Sequence, residues 1–221
     1  MPSIQANATS TLALLVGIVG SLFGYREHLS AGRRWMLRFA PVSVIGGLIG
    51  AWMLTCTSSR LFDRLVPFLI LFATILFLAS DVFRRFCVAE AGSGDEAGTR
   101  FPWVAMGLQF GVALYGGYFG AGIGILMLAT LGFMGFGHIH EMNAIKTVLG
   151  ALINVVAAGY FVWAGLVIWP QAALMTVGAL VGYYAGSRLA QAIPQKHVRT
   201  LVGLIGLCIS GYFFYRQFLS N

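Results

Sequence analysis

The sequence predicts an all-α fold: a polytopic transmembrane helical bundle with inverted repeats and a glycine-broken helical hairpin. Three observations predict it. Hydrophobic residues make up 58% of the 221 and charged residues only 10%, with a mean hydropathy of +0.83, which leaves too little polar surface to cover a domain in water. Apolar runs of membrane-crossing length follow one another from end to end. The longest run, between Arg100 and Glu141, carries no Lys, Arg, Asp or Glu and has a glycine cluster at its middle.

The runs fall at about 8–24, 40–56, 65–83, 102–137, 147–163, 170–187 and 200–215. Six of them suit single spans, because a bilayer core of about 30 Å is crossed by roughly 20 helical residues with little tilt. The run 102–137 is nearly twice that length and must fold back on itself. Its folding point is Gly116, Gly117, Gly120, Gly122 and Gly124, five glycines in nine residues, each costing a helix interior about 1 kcal/mol relative to alanine. Two short helices around an irregular turn follow. Backbone groups that leave a helix inside a bilayer must be satisfied by protein, water or ligand, so such a turn belongs beside a cavity and is a candidate binding site.

Loop charges decide how the folded-back run crosses. If it returns to the side it entered from, eleven Lys and Arg lie on one side and three on the other; a single crossing would divide them eight and six. The positive-inside rule selects the first arrangement. The loops at 25–39, 84–101, 138–146 and 188–199 are then cytoplasmic. At about fourteen residues, or ~21 Å, per arm, the pair reads as re-entrant or strongly broken.

The polar, Gly- and Ser-containing segment 88–100 reads as a linker between an N-terminal repeat, 1–87, and a C-terminal repeat with the hairpin, 101–221. Asn7-Ala8-Thr9-Ser10-Thr11 matches Asn143-Ala144-Ile145-Lys146-Thr147, and Gly46-Gly47-Leu48-Ile49-Gly50 matches Gly178-Ala179-Leu180-Val181-Gly182. The loop after Tyr25 is cytoplasmic by charge, whereas its counterpart after Tyr160 is uncharged and external, so the repeats are inverted. That arrangement suits alternating access around a site at the pseudo-two-fold axis. Only six residues precede Asn7, too few for a counterpart of the hairpin, and the expectation is that the true start lies upstream.

The net charge of +7 sits in short loops, where it orients the chain; no nucleic acid is implied. Cys56, Cys87 and Cys208 are isolated, so neither a metal site nor a cofactor is indicated. No GxSxG, HExxH or intramembrane Asp pair points to an enzyme. The partners expected are the lipid bilayer and a small anionic solute; proton or ion coupling and homo-oligomerisation are left open.

The cluster GGYFGAGIG at 116–124, the Asn143-Ala-x-Lys-Thr147 element with Asn154 beyond it, the Gly/Trp turn at 164–169 and the Gly178-x-x-x-Gly182-x-x-x-Gly186 helix together resemble the C-terminal half of the sulfite exporter TauE/SafE family. Residues 7–25 with the Gly46/Gly50 helix resemble its N-terminal half. The family's N-terminal glycine-rich segment has no counterpart here, and its GxGGG-like run is diluted to Gly120-Ala121-Gly122-Ile123-Gly124. The resemblance implies a bacterial inner-membrane transporter of sulfite, sulfoacetate or related organosulfonates. The alternative is a non-transporting membrane scaffold or a shortened transporter remnant.

An anion crossing a bilayer needs hydrogen-bond donors and positive potential without a charge so strong that it never leaves, and helix N-termini supply both. The substrate-binding candidates are therefore Gly120, Gly122 and Gly124 at the start of the helix through Leu131, together with Asn7, Thr9, Ser10, Asn143 and Thr147 near two further helix starts. Capping of those helices is the competing role. Asn154 lies mid-span and either bonds across a helix interface or faces the pathway. Lys146 and His138 are placed at the cytoplasmic mouth, Lys146 as an attractor of anions or a snorkelling interfacial lysine. His138, His140 and Glu141 are the candidates for proton coupling.

Overall fold

The computed structural model describes residues 2–24, 29–90, 102–134, 136, 139–192 and 195–218. These form eight helices: α1 (Ser3–Gly24), α2 (Leu29–Cys56), α3 (Ser59–Glu90), α4 (Pro102–Tyr118), α5 (Ile123–Phe133), α6 (Ile139–Trp163), α7 (Trp169–Ala192) and α8 (Gln195–Phe218). Among the described residues, Gly32–Cys56, Ser59–Ala79 and Glu141–Trp163 are long and apolar enough to cross a membrane, and Ile123–Gly132 and Gly203–Tyr215 are shorter apolar helices. His138 and most of the expected linker lie outside the described residues.

α1 and α6 begin earlier than the apolar runs did. Asn7 and Thr11 sit inside α1, and Asn143 and Thr147 inside α6, so neither element is a helix start with free backbone donors. The reason is local. The hydroxyl of Thr11 donates to the carbonyl of Asn7 at 2.8 Å, and that of Thr147 to the carbonyl of Asn143 at 2.8 Å, so each threonine satisfies itself within its helix. The matched pentapeptides thus share a hydrogen bond as well as a sequence.

Outside the hairpin, the helix contacts largely obey an exchange of α1 with α6, α2 with α7 and α3 with α8, the exception being α1–α3, which has no α6–α8 counterpart of similar extent among the described residues. α2 packs on α6 as α7 packs on α1, while the α1–α6 and α3–α8 contacts map onto themselves. Ile4 and Ala8 at the start of α1 share a core cluster with Ala157 and Phe161 at the end of α6, so the two run oppositely. α3 and α8 also run oppositely: the ring of Phe68 meets that of Phe214 at 4.9 Å, Ser210 donates to the carbonyl of Pro67, and Gly206 lies against Thr74. Opposed partners related by exchange are what an in-plane pseudo-two-fold axis produces.

The hairpin α4–α5 is wedged into this frame, with α4 on α2 and α6 and α5 on α3 and α6. α2 and α4 approach closely because glycine lines both sides. A Cβ at Gly50 would overlap the carbonyl of Leu114, one at Gly117 would overlap the carbonyl of Gly47, and one at Gly46 would lie 2.8 Å from the Cβ of Ala113. Gly178 and Gly182, which match Gly46 and Gly50 in sequence, have no atom within 4 Å of an added Cβ. The core divides in two. Met127, Leu131, Ile145, Leu149 and Ile153 join α5 to α6 at one end, and Leu54, Phe62, Ala157 and Phe161 fill the other.

Candidate functional site

The hairpin breaks over only four residues. α4 runs through Gly116 and Gly117 to Tyr118, and α5 starts at Ile123, so the turn is Phe119–Gly122. The five glycines were expected to act together; instead they divide the work. Gly116 and Gly117 remain helical and serve packing, against Ile123 and Gly47. Gly120 and Gly122 make the turn, with φ of +78° and +75°, values that cost an L side chain about 1–2 kcal/mol. Gly124 lies in the first turn of α5. At 11 residues α5 is about 16 Å long, too short to cross the bilayer, whereas α4 with 17 residues reaches about 26 Å.

The turn is pinned from both sides. The hydroxyl of Tyr115 donates to the carbonyl of Ala121 at 2.8 Å, and the N–H of Gly120 bonds to the carbonyl of Tyr115 at 3.3 Å. Asn7 reaches across from α1, its amide Nδ2 donating to the carbonyl of Tyr118 at 3.3 Å. Tyr118 itself touches Thr57 through its hydroxyl at 3.3 Å.

Gly122 caps α5 without any side-chain hydrogen bond. The carbonyl of Gly122 accepts from Ile125 and Leu126, and that of Gly120 from Ile123, but the N–H groups of Ala121, Gly122 and Gly124 meet no acceptor among the described residues. Three amides at the positive end of a helix are thereby left to a ligand or water. Beside them stands Lys146. A Cβ on Gly124 would lie 3.5 Å from Cδ of that lysine, so its aliphatic stem runs along the first turn of α5. Lys146 is half-buried within the Glu141–Trp163 span, and no carboxylate among the described residues pairs with it. An unpaired ammonium at membrane depth marks a solute path or a water-filled space.

Asn143, Lys146, Gly150 and Asn154 follow one another at helical spacing on α6. Asn143 and Asn154 are half-buried, and an added Cβ at Gly150 would meet nothing within 4 Å, so this polar stripe borders open space. Asn154 Nδ2 donates to the carbonyl of Gly150 at 2.8 Å, inside its own helix rather than across an interface. The amide of Asn143 makes no hydrogen bond among the described residues.

Other expected residues are engaged elsewhere. Thr9 is fully buried and accepts the N–H of Ile168 at 3.2 Å, holding the start of α7. Ser10 donates to the carbonyl of Asn7 at 2.9 Å, and Thr147 is 9% exposed and bonded within α6. The structure therefore gathers Gly120, Gly122, Gly124, Lys146 and Asn7 at the turn, sets Asn143 and Asn154 along the adjoining stripe, and leaves Thr9 and Ser10 tied into helices. On its opposite side the turn meets an apolar cavity of 370 Å³ between α3, α5 and α8, lined by Ile70, Ala73, Phe77, Ile125 and Ile205 beside Gly122.

Sequence reasoning missed two features. Tyr115, which fixes the turn, carries no signal in an apolar run. Gln109 does: a lone amide in a charge-free span has to find a partner, and it donates to Ser43 on α2 at 2.9 Å, fully buried.

Comparison with known proteins agrees with this architecture. The family described as sulfite exporter TauE/SafE matches residues 1–213. The chain is 26% identical over 212 residues to the probable membrane transporter protein ORF9 of Sinorhizobium sp, covering 95% of this chain and 78% of that protein. It is 25% identical to the probable membrane transporter protein YfcA of Escherichia coli K12, covering 97% and 77%, and 22% identical to a probable membrane transporter protein of Haemophilus influenzae, covering 98% and 82%. No solved structure matches. A helical bundle built from paired halves around a glycine-broken hairpin, matched nearly from end to end, places this chain in the sulfite exporter TauE/SafE family of multi-pass membrane transporters.

Proposed function

We propose that this protein carries a small sulfur oxyanion or organosulfonate, of the sulfite or sulfoacetate kind, across the bilayer by alternating access, and binds it at the first turn of α5. One observation carries this reading: Lys146, a cation without a partner among the described residues, lies against Gly124 beside three backbone N–H groups that meet no acceptor there. An oxyanion has several acceptor oxygens in a compact shell, which suits several free amides along one turn better than one fixed cation would. The absence of a side chain at Gly120, Gly122 and Gly124 lets oxygen approach the backbone. Lys146 adds charge through a flexible stem, so the anion is attracted without being held permanently.

Asn143 and Asn154 extend the polar surface along α6 and supply donors on the way to or from that position. Asn7 holds the end of α4 and sets the angle of the turn. Thr9, Ser10 and Thr147 act as supports of α7, α1 and α6. On this reading the chemistry of the position is binding and release.

The test is flux of radiolabelled sulfite and sulfoacetate into proteoliposomes. Saturable uptake or efflux, weakened in Lys146→Met, is the expected result. Flux that rises linearly with concentration, identical to protein-free vesicles, would assign the chain to the non-transporting scaffold class instead.

A further inference from the structure

Tyr115 holds the turn through both its backbone and its side chain. Its carbonyl takes the N–H of Phe119 at 2.9 Å and that of Gly120 at 3.3 Å, so the helical bonding of α4 ends there, and the next two amides, of Ala121 and Gly122, meet no acceptor among the described residues. Its hydroxyl donates to the carbonyl of Ala121 at 2.8 Å, an oxygen to which no backbone N–H among the described residues donates. The ring stands edge-on to Phe72 of α3 at 5.7 Å and to Phe119 at 6.3 Å, and these contacts fix where the hydroxyl is presented.

We infer that Tyr115 is a positioning residue for the solute: by holding the carbonyl of Ala121 it aims the N–H of Gly122 at the anion. This role rests on the anion site proposed above at the first turn of α5. The carbonyl of Ala121 and the N–H of Gly122 belong to one planar trans peptide, whose two polar groups point in opposite directions, so a carbonyl drawn to Tyr115 sends the amide away from it. Among the described residues no other hydrogen bond holds that plane. Turning it over changes only ψ of Ala121 and φ of Gly122. Ala121 has negative φ, where both the α and the β regions are open to it, and Gly122, now at φ of +75°, takes either sign as a glycine. The turned peptide would face the anion with a carbonyl oxygen in place of a donor and repel it. The missing side chain that lets oxygen approach the backbone at Gly122 thus leaves the direction of the peptide open, and the phenol of Tyr115 settles it.

The experiment measures the flux of radiolabelled sulfite in proteoliposomes, together with thermal midpoints in detergent, for the full chain, for Tyr115→Phe and Lys146→Met, and for a variant with 4-aminophenylalanine at position 115. Tyr115→Phe keeps the ring and removes the donor, and is expected to raise KM about fivefold, the loss of one ordinary hydrogen bond. The amino group puts an N–H donor where the hydroxyl was, and is expected to bring KM back to within about twofold of the parent. A KM unchanged in Tyr115→Phe but raised in Lys146→Met overturns the positioning role and leaves the anion site standing. A Tyr115→Phe protein that fails to fold, or whose midpoint falls while KM holds, also overturns the role and makes the phenol a prop of the hairpin. A raised KM that the amino ring does not restore overturns the hydrogen bond as its cause. A rise in Tyr115→Phe with none in Lys146→Met supports the role and removes the lysine from the site. KM unchanged in both variants, or no saturable flux in the parent, overturns the site and the role together.

Discussion

The stem of Lys146 lies along the first turn of α5, with its Cδ 3.5 Å from where a Cβ of Gly124 would be. That one contact brings a residue expected at the cytoplasmic mouth to the glycine turn, and it is the juxtaposition on which the proposed anion site rests. Lys146→Met keeps the stem and removes the charge. Losing a charged hydrogen-bond donor of about 1.5–3 kcal/mol should raise the apparent KM for an anionic solute by roughly tenfold or more. The thermal midpoint in detergent should not fall, because the ammonium has no partner to lose among the described residues. A variant that loses stability and keeps its KM would make Lys146 a structural residue.

Gly120 and Gly122 are held at positive φ, so any L side chain there strains the backbone. Gly122→Ala should cost about 1–2 kcal/mol, and its new methyl would sit 3.3 Å from the Cβ of Ala73. Gly122→Asn, which tolerates the left-handed region better, should retain more stability than Gly122→Ala. Gly122→Leu should abolish flux while expression stays largely intact. Flux measured beside circular dichroism decides this: transport that survives in a Gly122→Leu variant of native helicity would remove the turn from the mechanism.

The hairpin, its glycine break and the paired halves could be read from the chain, because each rests on a strong local signal: a charge-free run too long for one span, side-chain-free positions, and repeated pentapeptides. Which glycine does what could not. Gly117 and Gly120 are alike in sequence, but one meets the carbonyl of Gly47 and the other takes φ of +78°, a difference set by where α2 passes. The helix starts were misplaced for a related reason. Polar residues such as Asn7 and Asn143 stop an apolar run without stopping a helix, since the following threonines bond back to their carbonyls. Tyr115 and its bond to Ala121 depend on the shape of the turn, which six residues of sequence separation do not reveal.

Glycines on α4 should divide by face. Gly117 against the carbonyl of Gly47, and Gly50 of α2 against the carbonyl of Leu114, have no space for a side chain, so Gly50→Ala or Gly117→Ala should push α2 and α4 apart and destabilise by about 1–3 kcal/mol. Gly107 and Gly111 have nothing within 4 Å, and Gly107→Ala with Gly111→Ala should stabilise the helix by up to about 1 kcal/mol each. Denaturant midpoints in detergent for the four variants measure both signs. Equal effects on the two faces would show that helix propensity, not the crossing, governs these positions.

The pair Gln109 and Ser43 gives a test whose sign is unusual. Both are buried between α4 and α2; Nε2 of Gln109 donates to Oγ of Ser43 at 2.9 Å, while Oε1 of Gln109 has no partner among the described residues. Removing the serine alone leaves both ends of a buried amide unpaired, so Ser43→Ala should destabilise by about 1–3 kcal/mol. Removing the amide as well, in Ser43→Ala with Gln109→Leu, abolishes the unpaired groups and fills much the same volume, and the double variant should be at least as stable as the parent. The four denaturation midpoints of this cycle give the coupling directly. A double variant less stable than Ser43→Ala would mean that Oε1 of Gln109 holds something the folded protein needs, and would move this pair from the packing of α2 and α4 into the solute path.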